Sequence, residues 1–263
     1  IGIESANELN ELNNVEISYA GNSDWGFEDF TDKKAALALL GTDGQIKVKN
    51  SEVSNSNGYG MYARYGEVSE FANNTFTDND GTAIGLYANM AGMIDEETSF
   101  SGNGWDGLEI FESTFSEDAT WIDLQGNAKY NITGDLTVEA ALDIDPGAVF
   151  EFDLNKELYI SSDGGSLNAQ GTETSKITFT RAGAGEHWSG IHFRSSNTNN
   201  KLDYVEVLYA GSKDVWLDKD VYTAVSGDNN AVLGKNNSKA TNSGGYGVYW
   251  QDSTTINNDV GSA

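Results

Sequence analysis

The sequence has no cysteine and few basic residues. Without cysteine the chain can form neither a disulfide framework nor a cysteine-ligated metal site. Only 15 lysine and arginine residues stand against 41 aspartate and glutamate residues, which gives a net charge of -26. Because nucleic-acid binding requires a basic surface for the phosphates, we expect no nucleic-acid partner. The acidic excess is better suited to divalent cations or to a saline exterior.

Long hydrophobic runs are also missing, since no stretch approaches the roughly 18 apolar residues of a membrane span. The sequence therefore predicts no membrane span, although 263 residues with 38% hydrophobic content can bury a large core. The chain begins with Ile1 instead of Met and shows no signal-like segment. We therefore expect a processed or excised part of a longer repeat protein.

Short repeats are the strongest feature of what is present. The copies are "VSNSNGYGMYA" (53–63), "FTDNDGTAIGLYA" (76–88), "FSGNGWDGLEI" (100–110) and "ATNSGGYGVYW" (240–250). They share polar or small residues, a glycine-bearing turn, and then a glycine followed by an aliphatic residue. Neighbouring copies lie about 22 to 25 residues apart, which is typical of the coils of a solenoid.

A longer repeat links the two ends of the chain. "LNNVEISYAG" (12–21) matches "LDYVEVLYAG" (202–211), and Gly-Ile pairs precede them at residues 2–3 and 190–191. A linker with Trp25 or Trp216 follows each copy, and the glycine and tyrosine phrase comes next. The chain is thus predicted to start and to stop partway through a module, with further coils of the same parent chain as partners.

The local pattern predicts very short strands separated by glycine, asparagine, aspartate and serine turns. Alternating apolar runs occur at 136–138, 142–144, 149–152, 158–160, 177–179, 191–193 and 205–207. "KKAALALL" (33–40) is compatible with either a helix or a buried strand, and Pro146-Gly147 fits a type II turn. Evenly spaced short strands favour a parallel β-helix of about eleven coils, with a β-sandwich or a propeller as alternatives.

The segment from Tyr130 to Gly211 resembles the bacterial right-handed parallel β-helix proteins of the pectin-lyase-like superfamily. Its marks are Pro146-Gly147 before an apolar strand, "GSLNAQGT" (165–172), "ITFT" (177–180) and "WSGIHF" (188–193). The resemblance implies an all-β, right-handed parallel β-helix (solenoid), which we expect to extend as one body over residues 1–263. It also implies a secreted or cell-surface protein. It indicates the fold far better than the activity, because the superfamily includes lyases, glycoside hydrolases and adhesins.

Outward positions on successive coils supply a candidate carbohydrate surface. Alternation from the glycine of each coil places Tyr62, Tyr87 and Glu109 in one outward column. The same rule places Arg64, Asn89 and Phe111 in the next column. Aromatic rings stack on sugar faces and arginine pairs with uronate carboxylates, so an extracellular polysaccharide is a candidate partner. Alternatively, the columns stabilise only their own neighbours.

A second candidate site follows from the resemblance. Lyases of the superfamily generally remove a proton with arginine or lysine, and the chain has three arginines and two histidines. "GEHWSGIHFR" (185–194) gathers several such residues, with His192 and Arg194 as candidate catalytic residues. The same segment can also be ordinary coil structure, since the Trp-x-Gly-Ile mark occurs in the family without catalysis.

Clustered carboxylates suggest calcium as a possible cofactor. Asp78 and Asp80 lie in "TDNDGT" (77–82), and Asp218 and Asp220 lie in "WLDKD" (216–220). Oxygen-rich turns suit calcium, although no complete EF-hand loop is present and a solvated acidic face explains the same residues. No nucleotide-binding motif occurs, because the glycine pairs precede no predicted helix.

Three functions remain open on the sequence alone. The first is a non-catalytic secreted or cell-surface module that acts as a rigid structural or adhesive element. The second is a carbohydrate-binding module, and the third is a polysaccharide lyase acting on uronate-containing glycans. Whether the chain is an enzyme is therefore left open, with the non-catalytic role favoured.

Overall fold

The computed structural model describes residues 1–23, 33–185, 187–212, 221–251 and 255–257. Its secondary structure is almost entirely short strands, with one short α-helix, α1 (Ala88–Ala91), and a 3-10 turn at Gln125–Asn127. Contacts group the chain into two compact units. Unit 1 comprises Ile1–Phe111 and Leu124–Tyr130, and unit 2 comprises Glu112–Asp123 and Asn131–Ala263.

Unit 1 winds through three ladders of strands, each joining strands that are far apart in sequence. Ladder 1 runs β1 (Gly2–Ile3), β4 (Ala35–Leu39), β7 (Tyr59–Ala63), β10 (Thr82–Leu86), β12 (Trp105–Ile110). Ladder 2 runs β2 (Glu11–Asn13), β5 (Gln45–Lys49), β8 (Glu67–Ala72). Ladder 3 runs β3 (Glu16–Ser18), β6 (Glu52–Ser54), β9 (Thr75–Thr77), β11 (Ser99–Ser101). The chain visits the ladders in this order in each coil, except that α1 follows β10.

Unit 2 repeats the same winding in three further ladders. Ladder 4 runs β13 (Ser113–Phe115), β16 (Leu136–Val138), β19 (Glu157–Ile160), β22 (Gly190–Phe193), β25 (Thr223–Gly227), β28 (Tyr246–Trp250). Ladder 5 runs β14 (Ala119–Trp121), β17 (Ala141–Ile144), β20 (Ser166–Gln170), β23 (Lys201–Asp203), β26 (Val232–Asn236), β29 (Thr255–Asn257). Ladder 6 runs β18 (Val149–Phe152), β21 (Ile177–Arg181), β24 (Val205–Leu208), β27 (Lys239–Thr241). The remaining strand, β15 (Lys129–Ile132), has residues in both units.

Neighbouring strands in these ladders pair in parallel, as in β4 with β7 and β22 with β25. Parallel pairing between strands one coil apart confirms the predicted parallel β-helix. The predicted strands between residues 136 and 207 are present as β16 to β19, β21, β22 and β24. "KKAALALL" forms the strand β4 and not a helix, because both faces of β4 are buried and a strand can pair on both edges.

The inward positions form the core of each unit. In unit 1, Phe76 stacks between Phe71 and Phe100, with ring centroids 6.0 and 6.2 Å away. In unit 2, Phe150 and Phe179 stack at 4.9 Å, and Phe152 stacks on Trp188 at 4.2 Å. Other inward positions carry leucine, isoleucine, valine and alanine, as the alternation of the sequence predicts.

Asparagine residues make the bends between ladders. Asn14, Asn50 and Asn73 each have a positive φ and follow the strands of ladder 2. Asparagine tolerates this left-handed conformation, which lets the chain turn sharply into the next strand. At the single proline, Pro146, the chain turns through Gly147. The φ of 104° at Gly147 confirms the predicted turn.

The longer sequence repeat is also a structural repeat, but its first residues need correction. Gly2 aligns with Ala38 and Tyr62 in ladder 1, and His192 aligns with Ser226 and Tyr249 in ladder 4. Since the phrases containing Tyr62 and Tyr249 match, Gly2 corresponds to His192. The Gly-Ile pairs are therefore not equivalent. The second pair lies two residues before the positions that correspond to the first pair.

Candidate functional site

The outward side chains of ladder 1 in unit 1 form the first candidate surface. The strand register places Tyr62 opposite Gly85, and Gly85 opposite Glu109. The predicted column of Tyr62, Tyr87 and Glu109 is therefore wrong in one member. The error arose from matching Gly85 with Gly60, whereas Gly85 occupies the position of Tyr62.

Tyr87 instead lies beside Arg64, one column along. Arg64 Nε donates a hydrogen bond to Tyr87 Oη at 3.3 Å. The backbone N–H of Phe111 donates to the carbonyl of Leu86 at 3.1 Å, which brings Phe111 onto the next coil of this column. Asn89, which the sequence predicted here, lies in α1. The second column is thus Arg64, Tyr87 and Phe111.

Five rings pack together on this face, and we call them the aromatic cluster: Tyr59, Tyr62, Tyr65, Tyr87 and Phe111. Ring centroids lie 5.1 Å apart for Tyr59 and Tyr62, 5.2 Å for Tyr62 and Phe111, and 6.2 Å for Tyr87 and Phe111. These separations and the edge-to-face angles of 71° and 82° are those of favourable aromatic pairs. The cluster is therefore a packed assembly that covers part of the outward face of β4 and β7.

Tyr62 lies at the centre of the cluster and is only 2% exposed. It packs in a buried group with Ala35, Ala38 and Leu40. Burial raises the pKa of its phenol, which therefore stays protonated at neutral pH. The other four rings of the cluster are half-buried, as is the adjacent Arg64. Because Tyr59 is bonded to Glu109, the surface offered to a ligand consists mainly of Tyr65, Tyr87 and Phe111 together with Arg64.

Glu109 accepts hydrogen bonds within the same face. Its Oε2 atom accepts from Tyr59 Oη at 2.8 Å and from Thr82 Oγ1 at 3.3 Å. Lys33 Nζ lies 3.4 Å from Tyr59 Oη and 5.5 Å from the centroid of that ring. Burial, reinforced by the carboxylate of Glu109, raises the pKa of Tyr59. Glu109 therefore acts mainly as an acceptor that orients the cluster.

The outward face of ladder 4 in unit 2 forms the second candidate surface. The register aligns Tyr159, His192, Ser226 and Tyr249 in one column. The rings of Tyr159 and His192 stack at 5.8 Å with 6° between their planes. The Nδ1 atom of His192 lies 2.8 Å from Ser226 Oγ, and the histidine is only 5% exposed.

Asp228 joins this face two residues after Ser226. Its Oδ1 atom lies 3.6 Å from His192 Nε2 and 3.0 Å from Arg194 Nε. We call Tyr159, His192, Arg194, Ser226 and Asp228 the histidine cluster. The sequence prediction named His192 and Arg194 but missed Ser226 and Asp228, which lie more than thirty residues later and meet the histidine only through the coil register.

The ion pair with Asp228 bears on what Arg194 can do. Its Nε atom is held by the Asp228 carboxylate at 3.0 Å, so this part of the guanidinium is already engaged within the protein. His187, the other histidine of "GEHWSGIHFR", lies apart from the cluster, and its Nε2 atom is 2.9 Å from the carbonyl oxygen of Asn242. Within the described residues, the cluster therefore brings together His192 and Arg194 but not His187.

The predicted calcium ligands fall into two groups. Asp78 and Asp80 are exposed and sit in the turn before β10, whereas Asp218 and Asp220 lie outside the described residues. A nearby carboxylate, Asp106, caps a turn. Its Oδ1 atom accepts hydrogen bonds from the Asn103 backbone N–H at 2.9 Å and from Asn103 Nδ2 at 2.8 Å. Over the part of the chain that the structure describes, no group of three or more histidine, aspartate or glutamate residues is placed to hold a metal ion. Calcium binding stays a prediction.

Comparison with known families agrees with this architecture. Residues 35–117 match the family model for a right handed beta helix region. The fold is a right-handed parallel β-helix. The matched region includes β4 to β13 and the whole aromatic cluster of the β-helix. No curated protein and no solved structure matches the chain significantly. Among the described residues, neither helical segment has the length and apolar character needed to cross a membrane.

Proposed function

We propose that this β-helix is a secreted or cell-surface module with a structural or adhesive role. The observation that supports the proposal is a set of buried asparagine amides that join successive coils of unit 1. Asn79 Oδ1 accepts from the Ser56 backbone N–H at 3.0 Å, and its Nδ2 donates to the Val53 carbonyl at 3.1 Å. Asn74 makes the same pair of bonds with the backbone of Ser51 and Val48, at 3.0 and 2.9 Å.

These bonds supplement the strand ladders at the corners of the coils, where backbone pairing alone is interrupted. In a solenoid each coil contacts only its neighbours, so its resistance to a pulling force depends on the weakest coil-to-coil contact. Buried and fully bonded amides strengthen those contacts, because breaking them leaves polar groups unsatisfied in the interior. A chain built in this way is suited to bearing load outside the cell.

Single-molecule pulling between the two termini tests this role. We expect the wild-type chain to unfold in discrete force peaks, and Asn79→Ala to lower the peak force of unit 1. Asn57→Ala is the control, since the Asn57 amide bonds to Asn22 Oδ1 at 2.8 Å on the exposed surface, where water can replace the lost bond. Extension of the wild-type chain without any resolved force peak would contradict a load-bearing role.

Carbohydrate binding is a second candidate function, supported by the accessible part of the aromatic cluster. Arg64, Tyr65, Tyr87 and Phe111 place one cation and three half-buried rings on a single face. Such a face suits stacking on sugar rings and pairing with a uronate carboxylate. A panel of acidic and neutral glycans, probed with wild-type protein in calcium buffer, tests it. We expect Tyr87→Ala to abolish binding and Tyr246→Ala, an exposed tyrosine of unit 2, to leave it unchanged; equal binding by both variants argues against the site.

Uronate lyase activity has less support, because Arg194 is already engaged by Asp228 at 3.0 Å. Incubation with pectate and alginate, monitored by the ultraviolet absorbance of the unsaturated product, tests it directly.

Calcium is the proposed cofactor of Asp78 and Asp80. If it binds there, calcium raises the melting temperature of the wild-type protein but not that of an Asp78→Asn, Asp80→Asn double variant.

A further inference from the structure

In the histidine cluster, His192 lies between a serine and an aspartate. Ser226 and His192 are on the adjacent strands β25 and β22, and Asp228 follows the end of β25. We propose that Ser226, His192 and Asp228 form a nucleophilic centre that cleaves small carboxylic esters. This activity goes beyond the structural role, since it depends on three side chains of ladder 4 and not on the asparagine amides of unit 1. It also differs from uronate cleavage, which requires a base that removes a carbon-bound proton.

The distances carry the proposal. Ser226 Oγ lies 2.8 Å from His192 Nδ1, within hydrogen-bond reach of a general base. With the serine O–H donating to Nδ1, the opposite ring nitrogen carries the N–H and faces Asp228 Oδ1 at 3.6 Å. That distance is longer than a hydrogen bond, as is common for catalytic contacts before a substrate tightens them. The aspartate thus selects the ring tautomer that leaves Nδ1 free to receive the serine proton.

Two neighbours hold the centre in place. Tyr159 stacks flat on the imidazole at 5.8 Å, which restricts rotation of the ring. Arg194 Nε lies 3.0 Å from Asp228 Oδ1, and this ion pair holds the carboxylate facing the histidine. Arg194 is also 31% exposed through its side chain, so it presents positive charge to solvent beside the centre. An ester attached to an acidic molecule is therefore the favoured substrate class.

The reaction follows from these positions. Ser226 Oγ attacks the ester carbonyl carbon while its proton passes to His192 Nδ1. The bond from that carbon to the alcohol oxygen then breaks, and the same proton passes to the departing alcohol. Water hydrolyses the resulting serine ester by the reverse sequence, which releases the acid and restores the serine. Nothing is oxidised or reduced, and water is the only co-reactant.

Burial limits what can react. Ser226 is 4% exposed and lies between His192 and Tyr249 in its column. A large acyl group would have to displace these side chains, whereas an acetyl group adds only two carbon atoms at the serine. We therefore assign acetyl esters of an acidic molecule as the substrate class.

A fluorophosphonate probe with only a methyl and a methoxy group on phosphorus, small enough for the confined serine, tests the nucleophile on the intact chain. Attack by an activated serine forms an oxygen–phosphorus bond and expels fluoride, and peptide mass spectrometry locates the adduct. We expect one adduct, on Ser226, which Ser226→Ala removes. Ser166→Ala should not affect labelling, since Ser166 is an equally buried serine on ladder 5.

Two further variants separate activation from folding. His192→Gln should slow labelling about 100-fold or more, the contribution typical of a general base. Asp228→Asn should slow it without removing the serine, and both variants should keep the melting temperature within a few degrees of the wild type. The wild-type peptide map decides the matter even if a variant fails to fold.

Absence of an adduct on Ser226 in the folded wild-type chain overturns the proposal. Labelling of Ser226 at the same rate in folded His192→Gln also overturns it, because the serine would then react without the histidine. Release of acetate from an acetylated uronate polymer by the wild type, but not by Ser226→Ala, supports the proposed substrate class. None of these outcomes depends on the force measurement that tests the structural role.

Discussion

The same phrase of sequence has two different environments in this molecule. "NGYGMYA" of unit 1 and "GGYGVYW" of unit 2 both form a strand with two outward tyrosines, Tyr59 and Tyr62 in β7 and Tyr246 and Tyr249 in β28. Yet Tyr59 is half-buried and Tyr62 is 2% exposed, whereas their counterparts Tyr246 and Tyr249 are 59% exposed and half-buried, respectively. In unit 1 the strands β10 and β12 follow and supply Phe111 and Glu109 beside the tyrosines. Among the described residues, β28 is the last strand of ladder 4.

The comparison shows that a coil's sequence sets its backbone path but not the exposure of its outward side chains. Exposure depends on what the adjacent coils contribute to the same column. A tyrosine pair is therefore a packed cluster in one unit and a more open surface in the other. A surface predicted from one coil alone has to be checked against the coils on either side.

The largest expected effect on stability comes from removing the ring of Tyr62, the buried tyrosine of this comparison. Tyr62→Ala removes a ring at the centre of the aromatic cluster and should lower the free energy of unfolding by about 3 to 5 kcal/mol. Tyr246→Ala, at the exposed tyrosine that corresponds to Tyr59, should change it by less than about 0.5 kcal/mol. Chemical denaturation of both variants provides the measurement. Equal losses would mean that the two tyrosines have similar environments in solution.

The next effect concerns the corner amides. Asn79→Ala leaves the Ser56 N–H and the Val53 carbonyl of the preceding coil without their partner, and should cost about 1 to 3 kcal/mol. Ser243→Ala tests the equivalent position of unit 2, where the serine hydroxyl bonds locally to the Tyr246 carbonyl at 2.9 Å. We expect a smaller loss there. A larger loss in unit 2 would show that the corner amides of unit 1 are not the stronger contacts.

A comparable effect is expected from adding a side chain at Gly85, the glycine that lies between Tyr62 and Glu109 in the outward column. A Cβ atom at Gly85 would lie 2.8 Å from Phe111 Cζ and 3.0 Å from Tyr59 Cε1. Gly85→Ala should therefore push the rings apart and cost about 1 to 3 kcal/mol. Loss of near-ultraviolet circular dichroism from the tyrosines would report the disturbance. Gly234→Ala is a control in unit 2, since its nearest atom would lie 3.5 Å away. An unchanged spectrum for Gly85→Ala would contradict the packing described for the cluster.

The smallest effect depends on pH. Hydrogen bonds to Lys176 at 2.8 Å and to Lys239 at 3.2 Å lower the pKa of Glu206 below its ordinary value of 4.5. A lowered pKa stabilises the folded state above that value, and the stabilisation is lost as the pH falls through the folded pKa. Glu206→Gln should therefore be less stable than the wild type at neutral pH and equal to it in strong acid. Because both lysines are exposed, the difference should be small and should shrink in high salt.

Glu16 is the matched position for this test, because "NNVEIS" and "DYVEVL" are equivalent and Glu16 lies opposite Glu52 in the register. Glu16→Gln should not show the neutral-pH loss of Glu206→Gln. Denaturation curves at several pH values measure both. A similar loss in both variants would mean that the lysine contacts of Glu206 contribute little.

Much of the architecture could be predicted, for identifiable physical reasons. The alternation in "ALDI" (141–144) and "VFEF" (149–152), with Pro146-Gly147 between them, predicted two strands and a turn, because side-chain direction alternates along any strand. The position of Gly85 opposite Tyr62 could not be predicted, since a slip of two residues preserves the same alternation. The contact of His192 with Ser226 and Asp228 was missed because these residues lie more than thirty positions later and meet the histidine only through the register between coils.

The sequence by itself determined the coil: its length, its short strands, its asparagine and glycine corners, and an acidic exterior. These are local properties, fixed by backbone sterics and by which side of a strand each residue faces. Only the tertiary structure decided which residues of different coils meet, because that depends on the register between strands more than twenty residues apart. The buried Tyr62 and the serine, histidine and aspartate of unit 2 are products of that register.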